Sequence, residues 1–255
     1  MKEKLYTIPL NDAVNANDEC PFCFLERNLE QHLIDFVLGG GSSYMESDVR
    51  EATDKSGFCR THFKKMFDYG NSLGNAWILK THYRKMIDEM NKEFKNFKPG
   101  KPAKKGLFAK ASTSDSTNSI TAWIKEKECS CYICNSVQNT FNAYLKTFFT
   151  MYTKDASVKE KFFQTKGVCL SHFANLMEGA DQYLKPAEQE EFYNKFLPLM
   201  SQNMERIYED VAWFIEKYDY KNKDADWKDS KDAVQRGMQK LKGTDPSLPP
   251  YQLKR

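Results

Sequence analysis

Apolar residues recur along this chain at intervals of three and four, the spacing that gathers them on one side of an α-helix. Phe24/Leu25, Leu29, Leu33 and Phe36/Val37 trace a first face of this kind. Pro21, whose fixed φ suits a first helical turn, starts that helix, and Gly39-Gly40-Gly41 ends it. Ser43-Tyr44-Met45-Glu46 reads as a capping box that opens a short helix, running to Lys55 and broken at Gly57. A helix resumes at Thr61. Leu73, Trp77, Tyr83, Ile87, Met90, Phe94 and Phe97 then form a long stripe, interrupted at Lys80.

The second half has a similar order of elements. A short helix over 120–127 leads to a face made by Ile133, Val137, Phe141, Tyr144/Leu145, Phe148 and Tyr152. Asp155 caps a short helix ending near Gln164. Pro186 starts a long helix with acids in its first turns, where the helix dipole favours them. Its stripe is Phe192, Phe196, Leu199, Met200, Ile207, Val211, Phe214 and Tyr218, with Pro198 inside. Residues 1–17 are polar and expected to be extended. From Asp219 onward the chain reads as a charged tail with one helix over 230–241. No segment alternates with period two, so the fold class expected is all-α.

Breaker residues set the expected domains. Residues 98–119 begin with a basic run rich in Pro and Gly and end in Ser, Thr, Asp and Asn, the composition of a linker. The division expected is a first helical unit over 1–97, a linker over 98–119, a second unit over 120–219, and a tail over 220–255.

Candidate chemistry changes the picture most. Cys20-Pro21-Phe22-Cys23 is followed by Gly57-Phe58-Cys59-Arg60-Thr61-His62; Cys131-Tyr132-Ile133-Cys134 is followed by Gly167-Val168-Cys169-Leu170-Ser171-His172. Cys23 and Cys59 are 36 positions apart, and Cys134 and Cys169 are 35. Two intervening residues let both members of a pair face one ion, and helix starts favour thiolate over thiol. Three thiolates and one imidazole complete a tetrahedron around a borderline-soft cation. The expected sets are Cys20, Cys23, Cys59 and His62, then Cys131, Cys134, Cys169 and His172: a tandem repeat with one closed site per unit. Zinc, two per chain, is the expected ion; an iron–sulfur cluster is the alternative. Four protein ligands leave no open position, so the metal is expected to be structural. Repeat cores of about 50 residues are small enough for such a clip to decide folding. Cys129, two residues before Cys131, is a spare thiol or a reactive one. His32 and His82 have no partner spacing and read as surface or boundary residues. The triple glycine follows a helix and lacks the P-loop Lys-Ser/Thr, so it is a turn.

Composition narrows the partners. A net charge of +3 over 255 residues does not by itself call for a nucleic acid. No apolar run approaches the roughly 18 residues of a membrane span. No apolar signal region stands behind the N-terminus, which makes the cytoplasm the expected compartment. Thiols stay reduced there, which favours metal over disulfides.

Lys4-Leu5-Tyr6-Thr7-Ile8-Pro9, the paired Cys motifs, Ser43-Tyr44-Met45-Glu46, Trp213-Phe214 and Ser230-Lys231-Asp232-Ala233 together resemble a bacterial domain-of-unknown-function family from anaerobic gut-type bacteria. The resemblance covers most of the chain outside the linker and the last dozen residues. It implies the repeat and a cytoplasmic bacterial setting, and it leaves the function open. The residues point to a two-zinc helical scaffold that binds an unidentified protein or small molecule. A thiol-redox or metal-assisted enzyme using Cys129 is a second reading. A zinc-knuckle nucleic-acid binder using the linker lysines is a third.

Overall fold

A computed structural model describes residues 2–41, 43–98 and 118–243. Eleven α-helices and two short 3-10 turns account for most of these residues, and no strand occurs among them. The class is all-α. No helix among the described residues is long and apolar enough to cross a membrane. The described residues fall into two compact units. One takes the chain up to Gln31 and from Val137 onward; the other runs from His32 to Ser136. The divisions fall inside α2 (Pro21–Leu38) and α7 (Tyr132–Lys154) rather than at the linker. Residues 99–117 of that linker lie outside the described residues.

The first unit has an aromatic core. It is built from α1 (Lys2–Asn15), the start of α2, most of α7, α8 (Ala156–Phe163), α9 (Leu170–Tyr183), α10 (Pro186–Glu216) and α11 (Ala233–Lys242). Phe22, Phe148, Phe149, Phe162, Phe192 and Phe196 are all buried there. Their rings meet mostly edge-to-face or tilted, with Phe148–Phe162 and Phe192–Phe196 centroids 4.8 Å apart. Such pairs contribute about 0.5–1.5 kcal/mol each beyond the area they bury. Gly179 lets α9 approach α7: a Cβ there would lie 2.4 Å from the Phe149 ring.

Both ends of this unit depart from the sequence expectation. Lys2–Asn15 is helical rather than extended, because Leu10 and Ala13 of α1 are buried in the core despite the polar composition and Pro9. The charged tail is also partly core. Ser230, Ala233 and Lys240 are buried, and α11 packs on α9 and α10. Asp155 caps α8 as expected, accepting from the Ser157 and Val158 N–H groups.

The second unit comprises the end of α2, α3 (Ser47–Ser56), α4 (Arg60–Asp68), α5 (Ser72–Asn96), α6 (Ser119–Glu128) and the start of α7. The capping box does not form. Ser43–Met45 is a 3-10 turn, and α3 starts after Glu46 without a side-chain cap. The helix expected from Thr61 onward is two helices. Asn71 separates them, accepting from the Gly74 N–H and donating to the Leu38 carbonyl. The buried side of α5 is centred on Gly74 and Ile78. Leu73, Tyr83, Ile87 and Phe94, expected as a core stripe, are exposed.

Candidate metal centres

In the first unit, Pro21 begins α2 and Cys20 stands just before it, its carbonyl accepting from Phe24 N–H at 3.1 Å. The Cys23 N–H donates to Cys20 Sγ at 3.4 Å, the first-turn geometry that aims both sulfurs the same way. Cys169 is the N-cap of α9 at φ −74°, ψ 164°, and the turn before it needs Gly167 at φ +72°. His172, one turn on, points Nδ1 at all three sulfurs: 3.3 Å to Cys20, 3.5 Å to Cys23 and 3.1 Å to Cys169. Cys23 and Cys169 Sγ are 3.7 Å apart. All four residues are buried.

The second unit has the same local construction. Cys59 is the N-cap of α4 at φ −72°, ψ 164°, preceded by Gly57 at φ +58°. Cys131 precedes α7, and Cys134 lies in its first turn. His62 Nδ1 is 3.1 Å from Cys59, 3.3 Å from Cys131 and 3.4 Å from Cys134. Cys59 and Cys134 Sγ are 3.9 Å apart. The Tyr132 N–H donates to the Gly57 carbonyl at 2.9 Å, joining the two ligand segments by backbone. Pro21, with no N–H, occupies the equivalent place in the first centre and cannot make that bond.

The donor sets fit a four-coordinate ion. Zinc–sulfur and zinc–nitrogen bonds of about 2.3 and about 2.05 Å at tetrahedral angles separate sulfurs by about 3.8 Å, and nitrogen from sulfur by about 3.6 Å. The sulfur separations match, and the nitrogen–sulfur ones are slightly shorter. Proton sharing among the four groups shows why a cation suits them. In the first centre, hydrogen bonds from Cys20 and Cys23 hold the Cys169 thiol far below its ordinary value, while those with Cys169 and Cys20 push Cys23 far above. Burial opposes the His172 cation, yet the neighbouring sulfurs and Glu26 push it up to about 12. In the second centre, burial opposes ionisation of Cys131, but His62 and backbone donors lower it to about 6; burial and the Cys131 charge push Cys134 up to about 12.

All eight sequence-derived ligands, Cys20, Cys23, Cys59, His62, Cys131, Cys134, Cys169 and His172, lie in these two clusters, but the pairing corrects the expectation. Cys20 and Cys23 are joined by Cys169 and His172; Cys131 and Cys134 are joined by Cys59 and His62. The closed-site-per-repeat arrangement is therefore not what the chain adopts. Packing decides the partner: Phe22, between the two cysteines of the first pair, lies against Phe141, Phe148 and the His172 ring, all in the first unit. Cys129 belongs to neither cluster and is exposed at the end of α6. His32 is exposed. His82 is half-buried, with Nδ1 3.0 Å from the Asp54 carbonyl.

Residues without a sequence signal complete the first centre. Glu26 Oε2 is 3.3 Å from His172 Nε2, the carboxylate partner that fixes a ligating imidazole. Lys240 Nζ donates to the Glu19 carbonyl at 2.7 Å and the Lys166 carbonyl at 2.6 Å. Gly243, just past α11, lies so near that a Cβ would be 3.7 Å from Cys23 Sγ and 3.9 Å from Cys169 Sγ. The second unit also holds a cavity of about 580 Å³, mainly apolar, lined by Phe63, Leu79, Tyr83, Met86, Ile87, Met90, Trp123 and His82. That volume suits a small organic ligand.

A family model matches residues 1–247, and its description is that of a family of unknown function. No curated protein and no solved structure matches the chain.

Proposed function

This chain belongs to the family of unknown function DUF6062, and we propose that it is a helical scaffold clipped by two structural zinc ions that binds a small apolar ligand or a protein segment. The observation that carries this reading is the closed donor set. Each cluster offers three sulfurs and one imidazole nitrogen, all within 4.8 Å of one another. Such a set leaves no position for substrate, which is the property of a structural site. Zinc would hold the start of α9 to the start of α2, and the start of α4 to the start of α7. Its chemistry there is to replace shared protons with one divalent charge. Reduced thiols of this kind suit a reducing compartment such as the cytoplasm. The cavity beside α5 and α6 is the surface that supports binding, since its apolar walls are left open in the second unit.

Elemental analysis of the purified chain tests the reading. Two zinc ions per chain without visible absorption are expected, and chelation should lower helix content. A brown protein absorbing near 400 nm (roughly where thiolate-bound clusters absorb) would mean iron–sulfur, and a metal-free, folded chain would overturn the structural role.

A further inference from the structure

The two centres have the same donors and opposite surroundings. In the first, Cys20, Cys23 and Cys169 are each 0% exposed. Phe22 and Phe141 pack on the His172 ring, Lys240 holds the Glu19 carbonyl beside Cys20, and Gly243 lies close to the Cys23 and Cys169 sulfurs. In the second, Cys134 is exposed and Cys59 half-buried, while Cys131 and His62 are buried. The two accessible sulfurs are also neighbours, 3.9 Å apart. Oxidation follows thiolate character and exposure, and metal coordination keeps sulfur as thiolate.

We propose that the second centre is an oxidant-responsive zinc site, in which a hydroperoxide joins Cys134 to Cys59 and releases one zinc ion per chain. The inference rests on the zinc reading above. Cys134 thiolate attacks the peroxide; the O–O bond breaks, Cys134 becomes a sulfenic acid, and the alkoxide or hydroxide leaving group takes a proton. Cys59 thiolate then attacks the Cys134 sulfur, the S–O bond breaks, and hydroxide leaves and is protonated to water. Two thiolates, one hydroperoxide and two protons give one disulfide, one alcohol (or water) and one water. The thiolates lose two electrons and the peroxide gains them. With two of the four donors consumed, only Cys131 and His62 would remain to hold a zinc ion, too few for a closed tetrahedral site. The first centre keeps its metal because its sulfurs are covered. Release would reach the cavity too: Phe63, which lines it, follows His62 directly in the chain.

The test uses the full-length, zinc-loaded chain and hydrogen peroxide, with released zinc read by a chromogenic chelator and disulfides located by mass spectrometry of a non-reduced digest. One of two zinc ions should leave, a Cys59–Cys134 link should form, and Cys20, Cys23 and Cys169 should remain reduced. Dithiothreitol with added zinc should restore the second ion. Cys129→Ser should leave the release unchanged; abolished release, or a link from Cys129 to Cys134, would overturn the assignment of Cys59 as partner. Retention of both ions, or their simultaneous loss, would overturn the proposal with the zinc reading intact. A preparation that never held zinc would instead overturn the zinc reading, and this inference with it.

Discussion

Lys240 is 1% exposed, and its ammonium group lies 3.3 Å from Glu19 Oε2 while it donates to the carbonyls of Glu19 and Lys166. Glu19 directly precedes Cys20, and Lys166 directly precedes Gly167, so one side chain ties together both segments that enter the first centre. Glu19 is buried as well and also pairs with Arg206 at 2.5 Å. Removing one partner of a buried ion pair costs about 3–5 kcal/mol, because the remaining charge and acceptors stay desolvated. Lys240→Met should therefore lower unfolding free energy by about 3 kcal/mol, less the share Arg206 retains, and speed chelator removal of one zinc. Denaturant titration and release kinetics of the zinc-loaded protein measure both; an unchanged midpoint would contradict this role. Pairing of the ligands is also decided residue by residue. Cys20→Ser and Cys169→Ser should empty the same site, so the double variant should still hold one zinc. Loss of both ions in the double variant would restore the sequential pairing.

Glu89 of α5 pairs with Lys127 of α6. Burial opposes ionisation of Glu89, but Lys127, whose Nζ is 2.5 Å away, and Trp123 outweigh it and hold Glu89 below its ordinary value. A carboxylate lowered on folding contributes stability that is present above its unfolded pKa, about 4.3, and lost as pH falls through the lower folded value. Glu89→Gln should thus accelerate amide exchange in α6 at neutral pH. The difference from the parent should shrink as pH falls through the folded value of Glu89, where the parent too becomes neutral. A difference independent of pH would mean that Glu89 acts through packing alone. At this scale the sequence was most legible where a local residue sets the element. Pro21, Asp155 and Pro186 each start a helix where expected. It was least legible for α1 and α11, whose polar composition hides a few core residues, and for the stripe of α5. There, the apolar period is present, but Ile78 rather than Tyr83 or Ile87 faces the interior. Periodicity marks an apolar face and does not say whether another helix covers it.

On the scale of the molecule, each compact unit holds one complete ligand set. Zinc binding in small metal-held domains is worth roughly 10–16 kcal/mol at neutral pH, comparable with the stability of a whole domain. Cys59→Ser should therefore raise hydrogen exchange first within the described parts of 32–136, and Cys169→Ser first within the described parts of 1–31 and 137–243. Acid should act on both, because bound thiolates and imidazole must be free of protons: metal is held at neutral pH and released as pH falls. Exchange rising in the sequential halves 1–97 and 120–219 instead would show that the units are not the cooperative ones.

What the sequence determined by itself is local: the eight cysteines and histidines that cluster, the Cys-x2-Cys and Gly-x-Cys-x2-His geometry, and the helical class. These depend on residues within one turn of each other, where spacing fixes which side chains face the same point. Which pair meets which pair was decided only in three dimensions. Cys23 joins Cys169 across 146 positions rather than Cys59 across 36, and Cys59 joins Cys134 across 75. Loop-closure entropy grows only as the logarithm of length, so choosing 146 over 36 costs about 1.2 kcal/mol. The aromatic packing of Phe22 on Phe141 and Phe148 outweighs so small a bias. Sequence separation therefore carried almost no information about the partner, and the buried core carried nearly all of it.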